Sequence, residues 1–285
     1  MKKSKELTIV KELTNIGDES NIVLNEVGWT SRVYIVNNGK TVFKFLKNKQ
    51  YQEEFKHEIN ILMLIKEHKF NVKIPLISKL GVDNAYIAFD GLIGKSMTKE
   101  LVDKLTEEQR RNIGTQIGLF LKTLHKINYK GKSPNSEGDI IEWLQNSFNK
   151  RKHTLKRYFS DNELVTIESL VAAFPQKSQE FGIEQVFCHG DLGYNNILLN
   201  DNFDVGVIDF GDAGYNDISY DFVGLEDDDM LDAAILAYDG DEILRKKIEI
   251  RRKLLPLMEM LFLIDKKDKE GVRQCVERMR VRLKM

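Results

Sequence analysis

His189, Asp191 and Asn196 are spaced as H-x-D-x-x-x-x-N, and Asp209-Phe210-Gly211 follows directly on the apolar run Val205 to Ile208. Moving a phosphoryl group off a nucleoside triphosphate needs a carboxylate to take the acceptor hydroxyl's proton. It also needs oxygen ligands for the Mg²⁺ ions that neutralise the phosphates. Asp191 has the type and place of the first; Asn196 and Asp209 have those of the second. Asn196 lies five residues beyond Asp191, and Asp209 thirteen beyond Asn196. The stretch between them reads as strand (Ile197 to Leu199), turn (Asn200 to Asn202) and strand (Phe203 to Ile208). Such a hairpin returns Asp209 to the side of Asn196, where one cation could touch both. A hairpin whose polar ends only cap loops is the blander reading; the joint spacing weighs against it. Asp209 also closes an apolar run, where a carboxylate is costly to bury unless it is paired or binds metal. His189 and His125 read as scaffold residues that hold backbone by hydrogen bonds.

The elements that must position these groups fall into two regions. Strands are expected at Ile22 to Val27, Arg32 to Val36 and Thr41 to Leu46. The last two are joined by Asn37-Asn38-Gly39, a hairpin signal because these residues tolerate positive φ. A helix is expected from Gln50 to His68, with Phe55, Ile59, Leu62 and Ile65 on one face. A second hairpin follows at Ile77 to Val82 and Ala85 to Phe89. From Gly91 onward the pattern changes to long helices. One spans Thr106 to Ile127 with the stripe Ile113, Ile117, Phe120, Leu121 and Leu124; others are expected near 138–150, 162–174, 226–238 and 242–262. The fold class is therefore α+β and bilobal: a small antiparallel sheet with one helix over 1–90, and a larger, mainly helical lobe over 91–285.

Two charges in the first lobe call for partners. Strand side chains alternate, so Lys44 shares its face with Val42 and Leu46. Glu58 lies between Phe55 and Leu62 within the apolar stripe of the helix. An ammonium and a carboxylate on inward faces of adjacent elements offset each other's desolvation by pairing. In phosphoryl transfer, such a Lys reaches the α- and β-phosphates and such a Glu holds it. A snorkelling lysine and a stripe-edge glutamate are the alternative. A loop over the phosphates belongs between the first two strands, at Glu26 to Val33. Of the pattern G-x-G-x-x-G-x-V it keeps only Gly28 and Val33, while Thr30 and Ser31 could offer hydroxyl and amide donors; a plain hairpin loop is the alternative.

Composition narrows the partners. With 285 residues, 42% hydrophobic and 31% charged, the chain resembles an ordinary globular protein with room for two cores. A net charge of −1 gives no electrostatic reason to expect nucleic acid or an anionic membrane. Cys188 and Cys275 are far apart, which excludes a disulfide scaffold and fits a reducing cytoplasm. No secretory signal, transmembrane run, repeat or low-complexity linker is visible, and a cytoplasmic monomer is expected.

Lys44, Glu58, His189 to Asn196 and Asp209 to Gly211 together resemble the aminoglycoside phosphotransferases and their relatives in the protein-kinase-like fold. The run H-G-D-L-G-x-x-N-I is closer to them than to the H-R-D-x-K of protein kinases, and no A-P-E follows Asp209. The segment Ile208 to Ala213, with Asp217, Asp221-Phe222 and the acidic run, is most similar to the aminoglycoside 2''-phosphotransferases. The resemblance spans roughly 22–240; the last forty-odd residues match only in helical character. It implies ATP or GTP as donor, held with Mg²⁺ between the lobes, and an antibiotic-resistance function. The base would lie at Phe89-Asp90-Gly91-Leu92, with Phe89 as gatekeeper, Val33 and Val42 above it and Leu198 and Ile208 below. An aminoglycoside acceptor would meet Glu226, Asp227 and Asp228, with Asp212 on the same wall; the same acids could equally serve a helix dipole. Choline, methylthioribose, homoserine or a macrolide are alternative acceptors. A nucleotide-binding scaffold without activity is the reading of another class, although all five core groups are present.

Overall fold

A computed structural model of the chain describes all residues except Asp18, Val27, Trp29, Ile93, 132–136 and Met285, together with the side chain of Glu137. The N-terminal part opens with helix α1 (Lys3–Thr14) and contains strands β1 (Ile22–Asn25), β2 (Ser31–Val36) and β3 (Thr41–Leu46). Helix α2 (Gln52–Ile65) and strands β4 (Leu76–Leu80) and β5 (Tyr86–Asp90) complete it. The five strands form one antiparallel sheet in the order β1-β2-β3-β5-β4. At the β2–β3 turn Asn37, Asn38 and Gly39 all take positive φ, as the hairpin requires.

The sheet is covered on both faces. Val42, Lys44 and Leu46 of β3 point to the α2 side, where Phe55 and Ile59 pack with Ile87, Ile77 and Phe89. Phe43 and Phe45 point the other way, into a cluster with Tyr34, Tyr86 and Val10 of α1. Helix α1 has no counterpart in the sequence expectations. Its apolar contact is narrow: Val10 is buried, with Leu7 and Ile9 packed beside it, and Glu6 is the other buried residue. Glu6 is 0% exposed and accepts from Arg32 Nε (2.8 Å) and Nη2 (2.6 Å) on β2, so the helix is seated by an ion pair and hydrophobic periodicity cannot reveal it.

The remainder is mainly helical. After the short strand β6 (Lys95–Ser96) come α3 (Lys99–Val102), α4 (Glu107–Leu124), α5 (Glu137–Leu155) and α6 (Asp161–Glu180). Four short strands follow: β7 (Gln185–Cys188), β8 (Ile197–Leu199), β9 (Val205–Val207) and β10 (Gly214–Asp217). Helices α7 (Asp228–Tyr238), α8 (Glu242–Lys266) and α9 (Lys269–Leu283) close the chain. The expected hairpin is β8–β9, with Leu198 opposite Gly206. Strands β6, β7 and β10 are too short to carry a period, and β10 pairs with β7 across more than twenty intervening residues. The five stripe residues of α4 are fully buried in the largest core. That core also takes in Ile61, Leu62 and Ile65 of α2 and both hairpin strands, so α2 serves the sheet with one end and the helical part with the other. A second core joins α5, α6, α8 and α9.

Because Glu6 is fully buried and Arg32 is not, removing either partner has unequal consequences. Arg32→Ala leaves the buried carboxylate with only the Tyr34 hydroxyl (3.2 Å) and the N-terminal ammonium (4.0 Å), and should cost about 3 kcal/mol. Glu6→Ala leaves a guanidinium that water can reach and should cost only the charged hydrogen bonds, about 1.5–3 kcal/mol. Urea denaturation of both variants checks the order, and the reverse order would mean that α1 is not seated by this pair.

Candidate active site

Three segments converge on one cluster of charges. Lys44 on β3 donates to Glu58 Oε1 on α2 at 2.7 Å and to Asp209 Oδ1, beyond β9, at 2.9 Å. The lysine is 8% and the glutamate 5% exposed, whereas the Asp209 side chain is 50% exposed. Burial alone would pull the Lys44 pKa down; Glu58 and Asp209 together more than offset it and hold the ammonium charged. In return Lys44 holds the Asp209 carboxyl below its ordinary value. Asp209 itself takes φ 66°, a left-handed conformation that aspartate tolerates better than most residues.

The catalytic-loop candidates lie between β7 and β8. Asn196 Nδ2 donates to the backbone oxygen of Asp191 (2.8 Å) and to its carboxylate Oδ2 (2.9 Å). The Ile208 amide donates to the Asn196 carbonyl at 3.0 Å, which brings Asn196 and Asp209 to the same end of the hairpin as the spacing predicted. The Asp191 carboxyl opens onto solvent, yet the cleft walls desolvate it and raise its pKa from 3.8 to about 6, with Asp212 and Asp209 adding to the rise. Asp212 is raised by the same desolvation and by Asp209. Gly190 takes φ +86°, and a Cβ there would sit 2.1 Å from the Asp212 carbonyl, so the loop admits only glycine before the aspartate.

A buried polar network fixes this loop. Asp221, 0% exposed, accepts the amides of His189 (2.7 Å) and Gly190 (2.9 Å) and lies 3.1 Å from His125 Nε2. His125 Nδ1 is 3.0 Å from the Tyr238 hydroxyl. His189 Nε2 lies 3.0 Å from the Ile208 carbonyl, and Nδ1 accepts the Asp191 amide at 3.3 Å. Both histidines are scaffold residues, as expected. Burial raises Asp221, but the His125 and Gly190 hydrogen bonds and the nearby histidines outweigh it and hold the carboxyl low. His125, Cys188 and Asp221 are close enough to suggest a metal site, but His125 and Asp221 are committed to each other and Cys188 Sγ faces the Asn216 and Asp217 carbonyls. This is a hydrogen-bonded core.

Between the sheet and the hairpin, Val33, Val42, Phe89, Leu92, Leu198 and Ile208 are all half-buried, while the strand residues beside them are mostly closed off. Phe89 stands opposite Val42 in the ladder. Asp90 ends β5 on the surface. The loop before β2 is clipped from below: Lys47 Nζ donates to the carbonyls of Glu26 (2.6 Å) and Gly28, and its amide to the Thr30 carbonyl (2.9 Å). Thr30 and Ser31 bring their hydroxyls to 3.4 Å, although Ser31 is 2% exposed. Val27 and Trp29 of this loop lie outside the described residues.

The acidic run sits differently from the sequence expectation. Asp227 caps α7 through the Met230 amide (2.9 Å) and pairs with Arg110 (3.3 Å). Asp228 pairs with Arg252 (2.8 Å) and Glu226 with Arg278 (3.7 Å). A cleft of about 390 Å³ opens at Asp191, but its walls are Asp212, Tyr215, Tyr220, Glu259 and Phe262, and the run is not part of them. Asp217, another acid of this segment, is buried on Lys247 at 2.9 Å. Each of these acids is drawn to an arginine or lysine that a linear reading cannot place. Glu259 did carry a signal: it is the only charge between Leu254 and Ile264.

The chain belongs to the phosphotransferase enzyme family, whose model matches residues 21–248. Its fold is the bilobal protein-kinase-like one. The GDP and kanamycin complex of APH(2'')-IIIa superposes with a TM-score of 0.81 at 17% identity, over 99% of this chain and 98% of that one. Macrolide 2'-phosphotransferase MphH from Brachybacterium faecium gives 0.67 at 16%, over 96% and 97%. A choline/ethanolamine kinase family protein from Mesorhizobium loti gives 0.66 at 13%, over 99% and 95%. No described helix is long and apolar enough to cross a membrane.

The electrostatics separate two aspartates of the nucleotide-free protein. Carboxyl-carbon NMR should show Asp191 titrating near pH 6. Asp209 should titrate below its ordinary 3.8. Equal midpoints would remove the basis for giving the two carboxylates different tasks.

Proposed function

We propose that the protein transfers the γ-phosphoryl group of ATP or GTP to a hydroxyl of a cationic small molecule, an aminoglycoside, and so confers resistance to it within the cytoplasm. The observation that carries this reading is the cleft itself: Asp191 shares it with Asp212 and Glu259, and among the described residues no lysine or arginine lines it. Convergent carboxylates favour an acceptor that brings ammonium groups. The structural likeness to a kanamycin complex supports the same choice.

In this mechanism Asp191 takes the proton of the acceptor hydroxyl as its oxygen bonds to the γ-phosphorus. The bond from that phosphorus to the β–γ bridging oxygen breaks, and the nucleoside diphosphate leaves. The Asn196 amide holds the Asp191 carboxylate by its Oδ2, so one oxygen is oriented for the proton. Lys44, steadied by Glu58, turns from Asp209 to the α- and β-phosphates. Asp209 offers a half-exposed carboxylate and Asn196 a side-chain carbonyl oxygen, a donor set suited to Mg²⁺, which when bound neutralises phosphate charge. The half-buried apolar residues from Val33 to Ile208 receive the base, with Phe89 narrowing its inner end; Asp90 and Leu92 border it, and Gly28, Thr30 and Ser31 lie over the phosphates.

One observation favours a second acceptor. Tyr215, Tyr220 and Phe262 line the same cleft. Aromatic faces suit a quaternary ammonium, so choline is the rival. Turnover assays against kanamycin, gentamicin, choline and a macrolide decide between them. Phosphorylation of choline alone would overturn the aminoglycoside reading.

Asp191→Ala should lower kcat by about 10²–10⁴ while nucleotide affinity persists. Near-native turnover would remove Asp191 from the chemistry. The base must be ionised, and its pKa is raised, so kcat/KM should fall as pH drops through about 6. In the nucleotide pocket, Phe89→Ala should shift preference from GTP toward ATP, which competition titration of the two nucleotides measures.

A further inference from the structure

The acceptor-side wall of the cleft is built in part by chain that the family pattern does not cover. The family model ends at residue 248. Glu259 and Phe262, one turn apart on α8, come after it and face the cleft. Glu259 is in turn engaged by Arg278 of α9, whose Nη2 donates to Glu259 Oε2 and lies 3.3 Å from Cys275 Sγ. The same guanidinium reaches Glu226 Oε1 at 3.7 Å. Arg278, Glu226 and Glu259 are 37%, 38% and 38% exposed.

We propose that Arg278 sets the charge selectivity of the acceptor cleft, by neutralising Glu259 and Glu226 until an acceptor cation competes for them. The proposal rests on the cationic-acceptor reading above and deepens it. Ion pairs this open to water are weakly held, so a ligand ammonium can compete for the carboxylate. The described protein contacts of Glu259 all fall on Oε2, and a carboxylate has capacity for further donors on its other oxygen. A cation bound there sits beside the Arg278 charge and is repelled by it. The acceptor must therefore bring enough positive charge to overcome one fixed guanidinium, which disfavours monocations relative to polyammonium compounds. Without Arg278, the cleft-lining Glu259 and its neighbour across the guanidinium, Glu226, lose their counter-charge.

Calorimetric binding of kanamycin, of choline and of the neutral methylthioribose to the native protein, Arg278→Gln, Arg278→Met and Arg278→Lys tests this. Arg278→Met keeps the aliphatic stem should Arg278→Gln fold poorly, and thermal melting selects the folded variants. Both neutral variants should bind kanamycin about fivefold tighter, with steeper salt dependence. Choline should gain as well, and methylthioribose should not change. Arg278→Lys should behave as native, and Glu259→Gln added to Arg278→Gln should cancel most of the gain. Unchanged or weaker kanamycin binding in a folded neutral variant overturns the proposal. If the native protein phosphorylates kanamycin while Arg278→Gln binds it no better, only this inference fails. If neither native protein nor variant takes a cation, but a neutral acceptor is phosphorylated, the acceptor reading fails with it.

Discussion

One ammonium joins three segments that are far apart in sequence. Lys44 lies on the sheet, Glu58 on the helix behind it and Asp209 at the end of the hairpin. A charge buried to this degree is tolerated only with partners, and breaking such a set by removing one member is far costlier than its net contribution to stability. The geometry of the site follows from that. The sheet cannot slide over α2 without separating Lys44 from Glu58, and the hairpin cannot drift from the sheet without separating Lys44 from Asp209. Asp209 is the member that can be released. It is half exposed, its backbone is in a left-handed conformation, and its charge is the one held low by the lysine. A ligand that brings its own negative charge to Lys44 frees Asp209 at little cost, whereas Glu58 stays where burial and the apolar stripe of α2 fix it.

The catalytic-loop region depends on a second buried carboxylate with the opposite task. Asp221 is fully enclosed and exchanges nothing with solvent. Its oxygens accept two successive backbone amides and face an imidazole, so the desolvation of the charge is met by fixed donors. Those amides belong to the residues just before Asp191. The Asp191 side chain can stand open in the cleft because the backbone just before it is held from inside. The same network explains why His189, despite its place in the motif, has neither ring nitrogen to spare for proton transfer.

How much of this was legible in the sequence depended on the kind of force involved. The strands of the first sheet, α2, α4 and the β8–β9 hairpin carry hydrophobic periods or turn residues, and they were readable to within a few residues. The Lys44–Glu58 pair was legible because each charge interrupts an apolar face. Helix α1 was not, since a buried ion pair to Arg32 seats it. Strands β7 and β10 were not, since four residues cannot display a period and their pairing is long-range. The acidic run illustrates the harder limit. Its composition suggested a surface for cations, but Arg110, Arg252 and Arg278, contributed by three different helices, already meet those charges. A count of charges along the chain has no access to which of them fold together.

The acceptor cleft brings these constraints to one place. Its floor, Asp191 and Asp212, comes from the segment that the family model covers, and both carboxyls are pushed up, first by desolvation and then by neighbouring carboxylates: Asp212 and Asp209 for Asp191, Asp209 for Asp212. One wall, Glu259 and Phe262, comes from the half of α8 beyond it. The cleft is thus assembled from stretches of sequence that meet only in the fold. If Asp191 takes a proton, as proposed, it does so from a floor whose backbone amides at His189 and Gly190 are held by Asp221. A surface that must distinguish acceptors gains from being adjustable, and α9 reaches it through a single partly exposed arginine. On the proposed reading, substitutions at Glu259 and Arg278 would retune the acceptor without disturbing Asp191, Asn196 or Asp209, because among the described residues no hydrogen bond connects the two groups.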